Sequence, residues 1–273
     1  MQKRADQLLV VEELRERLER IGNGPERLHE TLPFGVDAID HRLPGGGLKL
    51  GCLHELSGGG NGAADGAAAA LFAAGVAARL SGKVLWCVTR RDLFMPGLTQ
   101  AGLSQNRLII VECRDEKGVL DCFEEGLRCN GFGAVMGEVA KLPMNASRRL
   151  QLAAETSGVT GIAIRRFRRA ADAALYGEPT AAVTRWRISV RPSSPLPVPG
   201  VGRPRWFLEL LRCRGGESAE FEVEACDAKG RIALPADMAD PLFMALIGWQ
   251  AKAASEKQLA ETGNMNAFLL DRL

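Results

Sequence analysis

The residues with the clearest chemical potential form a glycine-rich segment with the composition and position of a phosphate-binding loop. An apolar strand is predicted at residues 52–56, and an alanine-rich helix follows the glycines and runs to about Leu80. A strand, a glycine loop and a helix in this order present backbone N–H groups to phosphate at the helix N-terminus. The loop consists of Gly58, Gly59, Gly60, Asn61, Gly62, Ala63, Ala64 and Asp65.

This loop lacks the two side chains that grip a nucleotide. A working loop reads Gly-x-x-x-x-Gly-Lys-Ser/Thr, in which the lysine neutralises the β- and γ-phosphates and the hydroxyl holds Mg²⁺. Counted from Gly58, those positions fall on Ala64 and Asp65, and if Gly62 is the second glycine both fall on alanine. Asp65 would repel a triphosphate. The sequence therefore predicts a degenerate phosphate loop with no bound ATP or Mg²⁺.

Carboxylates that could assist catalysis are scarce at the predicted strand ends. The strand at residues 83–88 runs into Thr89, Arg90 and Arg91, with no glutamate to activate water. Glu138 ends another strand, where a carboxylate associated with magnesium could lie. A strand-end glutamate that is solvated or ion-paired is the commoner case, and we favour it. We expect no catalytic residue and no enzyme activity.

Composition gives no sign of a metal site or a membrane span. The seven cysteines are scattered without a CxxC pair, and the three histidines lie near no cysteine cluster, so buried reduced thiols are expected. No apolar run approaches the roughly 20 residues that span a bilayer. The charged N-terminus lacks the apolar core of a signal peptide. A cytoplasmic protein without membrane association is the interpretation.

The order of elements predicts an α/β fold. Strands alternate with helices from residue 52 to residue 164, which is typical of a mostly parallel sheet covered on both faces. Beyond residue 181 the runs RWRISV, RWFLELLRC and EFEVEAC predict antiparallel strands at one edge. Apolar spacings of three and four predict an N-terminal helix. The expected divisions are residues 1–24 (N-terminal helix), 25–235 (core) and 236–273 (C-terminal helix and tail).

A second group of residues fits single-stranded nucleic acid. Arginines interleave with aromatic residues after the strand at residues 158–164, so guanidinium groups can pair with phosphates while aromatic faces stack on bases, at roughly 1–3 kcal/mol per base. The alternative is structural, with the arginines on a solvated face and Phe167 and Trp186 in the core. The predicted DNA-binding residues are Arg165, Arg166, Arg168, Arg169, Tyr176, Arg185 and Arg187.

The C-terminal segment carries an apolar cluster that predicts a partner-binding surface. An apolar helix face followed by an apolar tail can dock onto another protein, and packing back onto its own domain is an equal alternative. The residues concerned are Leu242, Leu246, Trp249, Phe268, Leu269 and Leu270.

Three motifs carry a family resemblance. The runs FGVDAID and LPGGGL at residues 34–48 resemble the segment that leads into the phosphate loop of RecA recombinases. Residues 176–179, Tyr-Gly-Glu-Pro, resemble the aromatic-Gly-Asn-Pro segment of their second DNA-binding loop. Because the loop lysine is absent, the chain most resembles the ImuA family of damage-inducible mutagenesis proteins, over roughly four-fifths of its length by segment order.

The resemblance implies a RecA-like, P-loop-type core and a role in SOS-induced translesion DNA synthesis. In that family the protein works beside ImuB, an inactive Y-family polymerase homologue, and an error-prone polymerase. The first hypothesis is therefore a non-catalytic scaffold for these partners and for single-stranded DNA, with RecA and self-association as further open contacts. The segment between Glu138 and the next helix is too short for a recombinase's first DNA loop, so DNA binding is expected to be weak and not switched by ATP.

Two alternatives stay open at this point. One is an active RecA-like DNA-dependent ATPase or recombinase, which would need a lysine from another subunit. The other is an inhibitor of cell division similar to the SulA family, whose chains are shorter and lack the extended loop after the last central strand.

Overall fold

A computed structural model of the protein describes residues 30–60, 62–167, 175–193, 200 and 202–235. The chain divides into two units, Met1–Glu30 and Thr31–Leu273, and all elements given below belong to the second. The predicted N-terminal helix (residues 1–24) and C-terminal helix and tail (residues 236–273) lie outside the described residues.

The described residues form an eight-stranded sheet and a short two-stranded one. The small sheet pairs β1 (Thr31–Leu32) with β2 (Leu48–Lys49) in antiparallel fashion. The large sheet contains β3 (Leu53–Gly58), β4 (Lys83–Val88), β5 (Leu108–Glu112), β6 (Phe132–Val139), β7 (Thr160–Arg165), β8 (Thr184–Arg191), β9 (Arg205–Cys213) and β10 (Ala219–Glu224). Its order is β10-β9-β8-β3-β7-β6-β4-β5.

Helices cover the parallel part of this sheet. They are α1 (Asp37–Asp40), α2 (Ala63–Ala78), α3 (Met95–Gln100), α4 (Glu116–Arg128) and α5 (Met144–Ser157). The side chains of α2 pack with one sheet face in one buried cluster, and those of α4 and α5 pack with the other face in a second. None of the helices in the described part of the chain is long and apolar enough to cross a membrane.

Aromatic side chains fill the core beneath α2. The ring of Phe72 lies 5.8 Å from that of Phe34, 6.1 Å from that of Trp186 and 6.2 Å from that of Trp206, measured between centroids. Ala69, Ala73 and Ala74 of α2 are fully buried. Their small side chains leave room for these rings. Buried aromatic groups of this size dominate core energetics, so this cluster fixes α2 to β8 and β9.

The predicted fold class is confirmed. The six strands from β3 to β8 are parallel to one another, and β9 and β10 extend the edge in antiparallel fashion. The prediction that RWRISV forms an antiparallel strand was wrong in detail. This run lies in β8, which pairs parallel with β3 and antiparallel only with β9. Ser57 and Gly58 belong to β3 rather than to the glycine turn.

The expectation of buried thiols holds for some cysteines only. All seven are free, and Cys52, Cys87 and Cys213 are buried. Cys129 is exposed, contrary to that expectation. Among the described residues no group of three or more His, Cys, Asp or Glu side chains is arranged to hold a metal ion.

A buried histidine links β3 to its surroundings. His54 places Nε2 2.8 Å from the Lys49 carbonyl and Nδ1 2.7 Å from the Thr184 hydroxyl, which also accepts from the Trp186 indole. Since a carbonyl only accepts, Nε2 carries the proton and Nδ1 accepts from Thr184. Burial lowers the pKa of His54 to about 4, which keeps the ring neutral.

This histidine makes the stability of the protein depend on pH. A histidine with a lower pKa in the folded state is protonated first in the unfolded chain, so acid favours unfolding between an ordinary pKa of about 6.5 and a folded pKa of about 4. The contribution of neutral His54 to stability is complete above this pH interval and is lost as the pH falls through it. The native chain should lose unfolding free energy when the pH is lowered from about 7.5 to about 5. In His54→Gln we expect this loss to be smaller by roughly 2 kcal/mol, as measured by urea denaturation at both pH values.

The control for this prediction is the exposed His41. His41→Gln should keep the pH dependence of the native chain. An identical pH dependence in the native chain and His54→Gln would contradict the assignment of a neutral, buried His54.

Candidate functional site

The glycine loop is held against β8. The Gly59 N–H donates to the Ile188 carbonyl at 2.8 Å, and a Cβ on Gly59 would overlap the Ser189 side chain. A Cβ on Gly58 would lie 2.8 Å from the backbone of both Asp65 and Gly66. Glycine is therefore required at both positions by close packing. Asn61 lies outside the described residues.

Asp65 closes the loop from the helix side. Its Oδ1 accepts the Val190 N–H at 2.9 Å, and its Oδ2 lies 3.0 Å from where a Cβ on Gly60 would be. Asp65 is in the first turn of α2, where a negative charge is stabilised by the helix dipole. Asp65 therefore links the first turn of α2 to β8 beside the glycine loop.

The cavity beside this loop measures about 550 Å³, and small and apolar residues of α2 and α3 form part of its lining. Two arginines line it, but Arg165 is committed to Glu55 and Ala140, and Arg166 to Asp92 and Glu138. With Ala63 and Ala64 at the start of α2, no described cation is free to neutralise the β- and γ-phosphates.

Glu138 is ion-paired, as the sequence favoured. Its Oε1 accepts from the Trp86 indole at 3.0 Å and its Oε2 from Arg166 at 2.8 Å. Burial raises the pKa of the Glu138 carboxyl, while Arg166 and Trp86 act in the opposite direction. Arg166 also holds both carboxylate oxygens of Asp92, at 2.8 and 2.9 Å. Glu138 is therefore engaged in a network with Trp86, Arg166 and, through Arg166, Asp92.

Two arginines of the predicted DNA-binding set meet around one buried carboxylate. Glu55 on β3 accepts from Arg165 at 2.5 Å and from Arg185 at 3.0 Å. Glu55 lies beside Arg185 in the ladder between β3 and β8, while Arg165 ends β7 on the other side. The exposed fractions are 0% for Glu55, 3% for Arg165 and 7% for Arg185.

Tyr176 completes this cluster. Its hydroxyl donates to the Trp186 carbonyl, and its own carbonyl accepts from Arg185 at 2.7 Å. The guanidinium carbons of Arg165 and Arg185 lie 5.7 and 5.1 Å from its ring centroid, within cation–π range. Burial raises the pKa of the Tyr176 hydroxyl, so the phenol is neutral.

The structure divides the described residues of the predicted DNA-binding set by their exposure. Arg165, Tyr176 and Arg185 are buried among one another around Glu55, because a charged strand face is neutralised by a carboxylate from the neighbouring strand. Arg166 and Arg187 are half-exposed, and Arg187 pairs with Glu209 through two nitrogens. Arg168 and Arg169 lie outside the described residues, as do the predicted partner-binding residues Leu242, Leu246, Trp249, Phe268, Leu269 and Leu270.

Comparison with known proteins gives the family. No family model matches the chain. The chain is 41% identical over 208 residues to Protein ImuA of Caulobacter vibrioides, a match that covers 72% of this chain and 84% of that protein, and the same match is found in two strains. The chain belongs to the ImuA family. Among solved structures, that of the RadB recombinase shares 18% identity at a TM-score of 0.48, covering 74% of this chain and 98% of the recombinase chain.

Two residues of this ImuA-family site escaped sequence reasoning. Glu55 is charged within the apolar strand LHELSG, which is a signal, since a glutamate is almost never fully buried unless it is paired. Asp92 carried no such signal, because it follows the end of β4 in an irregular segment. Its pairing with Arg166 depends on how β4 and β7 are placed across β6, which local patterns do not reveal.

The buried pair of arginines makes Glu55 critical for stability. Glu55→Gln removes the carboxylate that, among the described residues, is the one paired with both buried guanidinium groups, and breaking a buried ion pair in this way costs about 3–5 kcal/mol. We expect a loss of that size in the free energy of unfolding, measured by urea denaturation at neutral pH.

An exposed ion pair of this ImuA-family chain provides the control. Glu217, with 85% of its side chain exposed, lies 3.6 Å from Arg42, and Glu217→Gln should change stability by less than about 0.5 kcal/mol. If Glu55→Gln were as mild as Glu217→Gln, Glu55 would not be the group that holds the two arginines in place.

Proposed function

We propose that this ImuA-family chain is a non-catalytic, RecA-like accessory protein of the DNA damage response, acting as a scaffold in translesion synthesis. The observation that carries the proposal is the closed glycine loop. Asp65 and Gly59 tie the loop to β8, and the lysine and hydroxyl positions hold Ala64 and Asp65. The fold keeps the loop as a structural joint, while the groups that bind and activate a nucleotide are replaced.

The state of the remaining polar groups supports the same proposal. A general base for water must be free to accept a proton near the reacting phosphate. Glu138 is committed to Arg166 and Trp86, and Asp92 is committed to Arg166. The arginines that could stabilise negative charge on a transferred phosphoryl group are held by these carboxylates and by Glu55.

The proposed partners are an ImuB-type inactive polymerase homologue and the error-prone polymerase that works beside it. This part rests on family membership, since the relative of 41% identity is named Protein ImuA. Single-stranded DNA is a further proposed partner. Among the described residues of the predicted DNA-binding set, only Arg166 and Arg187 retain substantial exposure to meet it.

Nucleotide binding is the first test. We expect no saturable heat when ATP and Mg²⁺ are titrated into the full chain, corresponding to a Kd weaker than about 1 mM, because no free described cation faces the loop. An active RecA-type ATPase in the same buffer serves as the positive control. Saturable binding with hydrolysis above the buffer rate would favour the ATPase alternative.

Association with the polymerase homologue is the second test. The full chain, co-expressed with an ImuB-type protein, is expected to co-purify with it through gel filtration. A variant ending at Met238 separates two sites of contact, because it lacks the apolar residues from Leu242 onward. If only the full chain associates, the C-terminal segment is the contact; if both associate, the contact lies within the core. Failure of both would count against the scaffold.

A further inference from the structure

A second pocket lies on the far side of the glycine loop from α2. Its volume is about 420 Å³, and the backbone of residues 58–60 forms one wall. Ser57, Arg185 and Arg187 point to this side, since they alternate along β3 and β8 with Leu56 and Trp186, which pack with α2. The other side chains that matter here are Phe167, Tyr176 and Arg212.

An excess of buried positive charge lies next to this pocket. Arg165 and Arg185 are both more than nine-tenths buried, and among the described residues Glu55 is the one carboxylate that pairs with either. Two guanidinium groups and one carboxylate leave a net charge of +1 in the interior. Buried charges are normally compensated. An anion in the adjoining pocket, which Arg185 lines, would supply the missing charge.

Two further groups are positioned for the same anion. Arg212 donates to the Thr180 carbonyl at 2.6 Å and forms no ion pair with a described carboxylate. The Ser57 hydroxyl is fully buried and makes no well-formed hydrogen bond with a described group. The hydroxyl of Tyr176 is its polar neighbour, and it already donates to the Trp186 carbonyl.

We propose that this pocket binds a phosphate group through Arg212 and Ser57, with Arg185 as the buried counter-charge. Guanidinium forks match the oxygens of phosphate in pairs. Arg187 also lines the pocket, but Glu209 holds its guanidinium group. The site differs from the nucleotide site of a working phosphate loop, which lies on the α2 side of the same glycines. The binding of a phosphate does not depend on the scaffold function, and its source, a nucleic-acid backbone or a free phosphate, is decided by the experiment below.

The experiment follows thermal unfolding of the full chain as inorganic phosphate is added at constant ionic strength. A ligand that binds only the folded state raises the melting temperature in a saturable way. We expect this rise in the native chain, and we expect Arg212→Ala to weaken the phosphate affinity by about tenfold or more. Arg214→Ala is the matched control, because Arg214 is also exposed and also donates to a neighbouring carbonyl, that of Ala181, but does not line this pocket.

A second variant guards against a folding defect in Arg212→Ala. Leu211 lines the pocket and is 37% exposed. Leu211→Asp therefore adds a negative charge at the pocket without opening the core. This variant should also abolish the saturable rise in melting temperature. The proposal is overturned if the native chain shows no saturable rise, if Arg214→Ala loses the effect as fully as Arg212→Ala, or if folded Leu211→Asp binds phosphate like the native chain.

Competition distinguishes the source of the phosphate. A fluorescent oligodeoxythymidylate is added to the native chain, and its anisotropy is followed as inorganic phosphate is titrated at constant ionic strength. Displacement of the oligonucleotide in the native chain, together with weaker oligonucleotide binding in Arg212→Ala, assigns the pocket to the nucleic-acid backbone. Saturable phosphate binding that leaves the oligonucleotide signal unchanged assigns it to a small free phosphate.

Discussion

The carboxylate of Glu55 holds together three neighbouring strands. It lies on β3, in the middle of the sheet, and receives a guanidinium group from β7 on one side and from β8 on the other. Each arginine also donates to a backbone carbonyl, Arg165 to that of Ala140 just after β6 and Arg185 to that of Glu178 in the segment before β8. Without the carboxylate, two charged side chains would be buried without compensation. The position of the glycine loop, which begins three residues after Glu55, therefore depends on this one ionic contact.

This contact also determines what the surface offers. The arginines nearest the loop, Arg165 and Arg185, are drawn inwards, and the half-exposed Arg187 is paired with Glu209 of β9. Arg166 is paired with Asp92 and Glu138. Each described arginine of the predicted DNA-binding set is therefore engaged by a carboxylate, and a phosphate of a nucleic-acid backbone would have to compete with that carboxylate.

Local patterns predicted the fold well where each element carries its own signal. The strand at residues 83–88 and the alanine-rich helix after the glycines were predicted closely, since an apolar run and an alanine-rich composition are local features. The direction of β8 was missed because its alternation of arginine with apolar residues is typical of an antiparallel strand with one wet face. Arg185 on this face is buried because Glu55 lies opposite it in the register with β3. The degenerate loop could be predicted from its motif, whereas the burial of Arg165, Tyr176 and Arg185 depends on contacts between distant strands.

The link between Asp65 and Val190 makes the glycine loop part of a closed ring of contacts. β3 leads into the glycines, the glycines lead into α2, and Asp65 in the first turn of α2 bonds the backbone of β8, which pairs with β3 as far as Gly58. The loop therefore cannot shift without disturbing the contact between α2 and β8. A substitution within residues 58–65 acts on three elements at once, so this segment tolerates change less readily than a connection that is anchored only at its two ends.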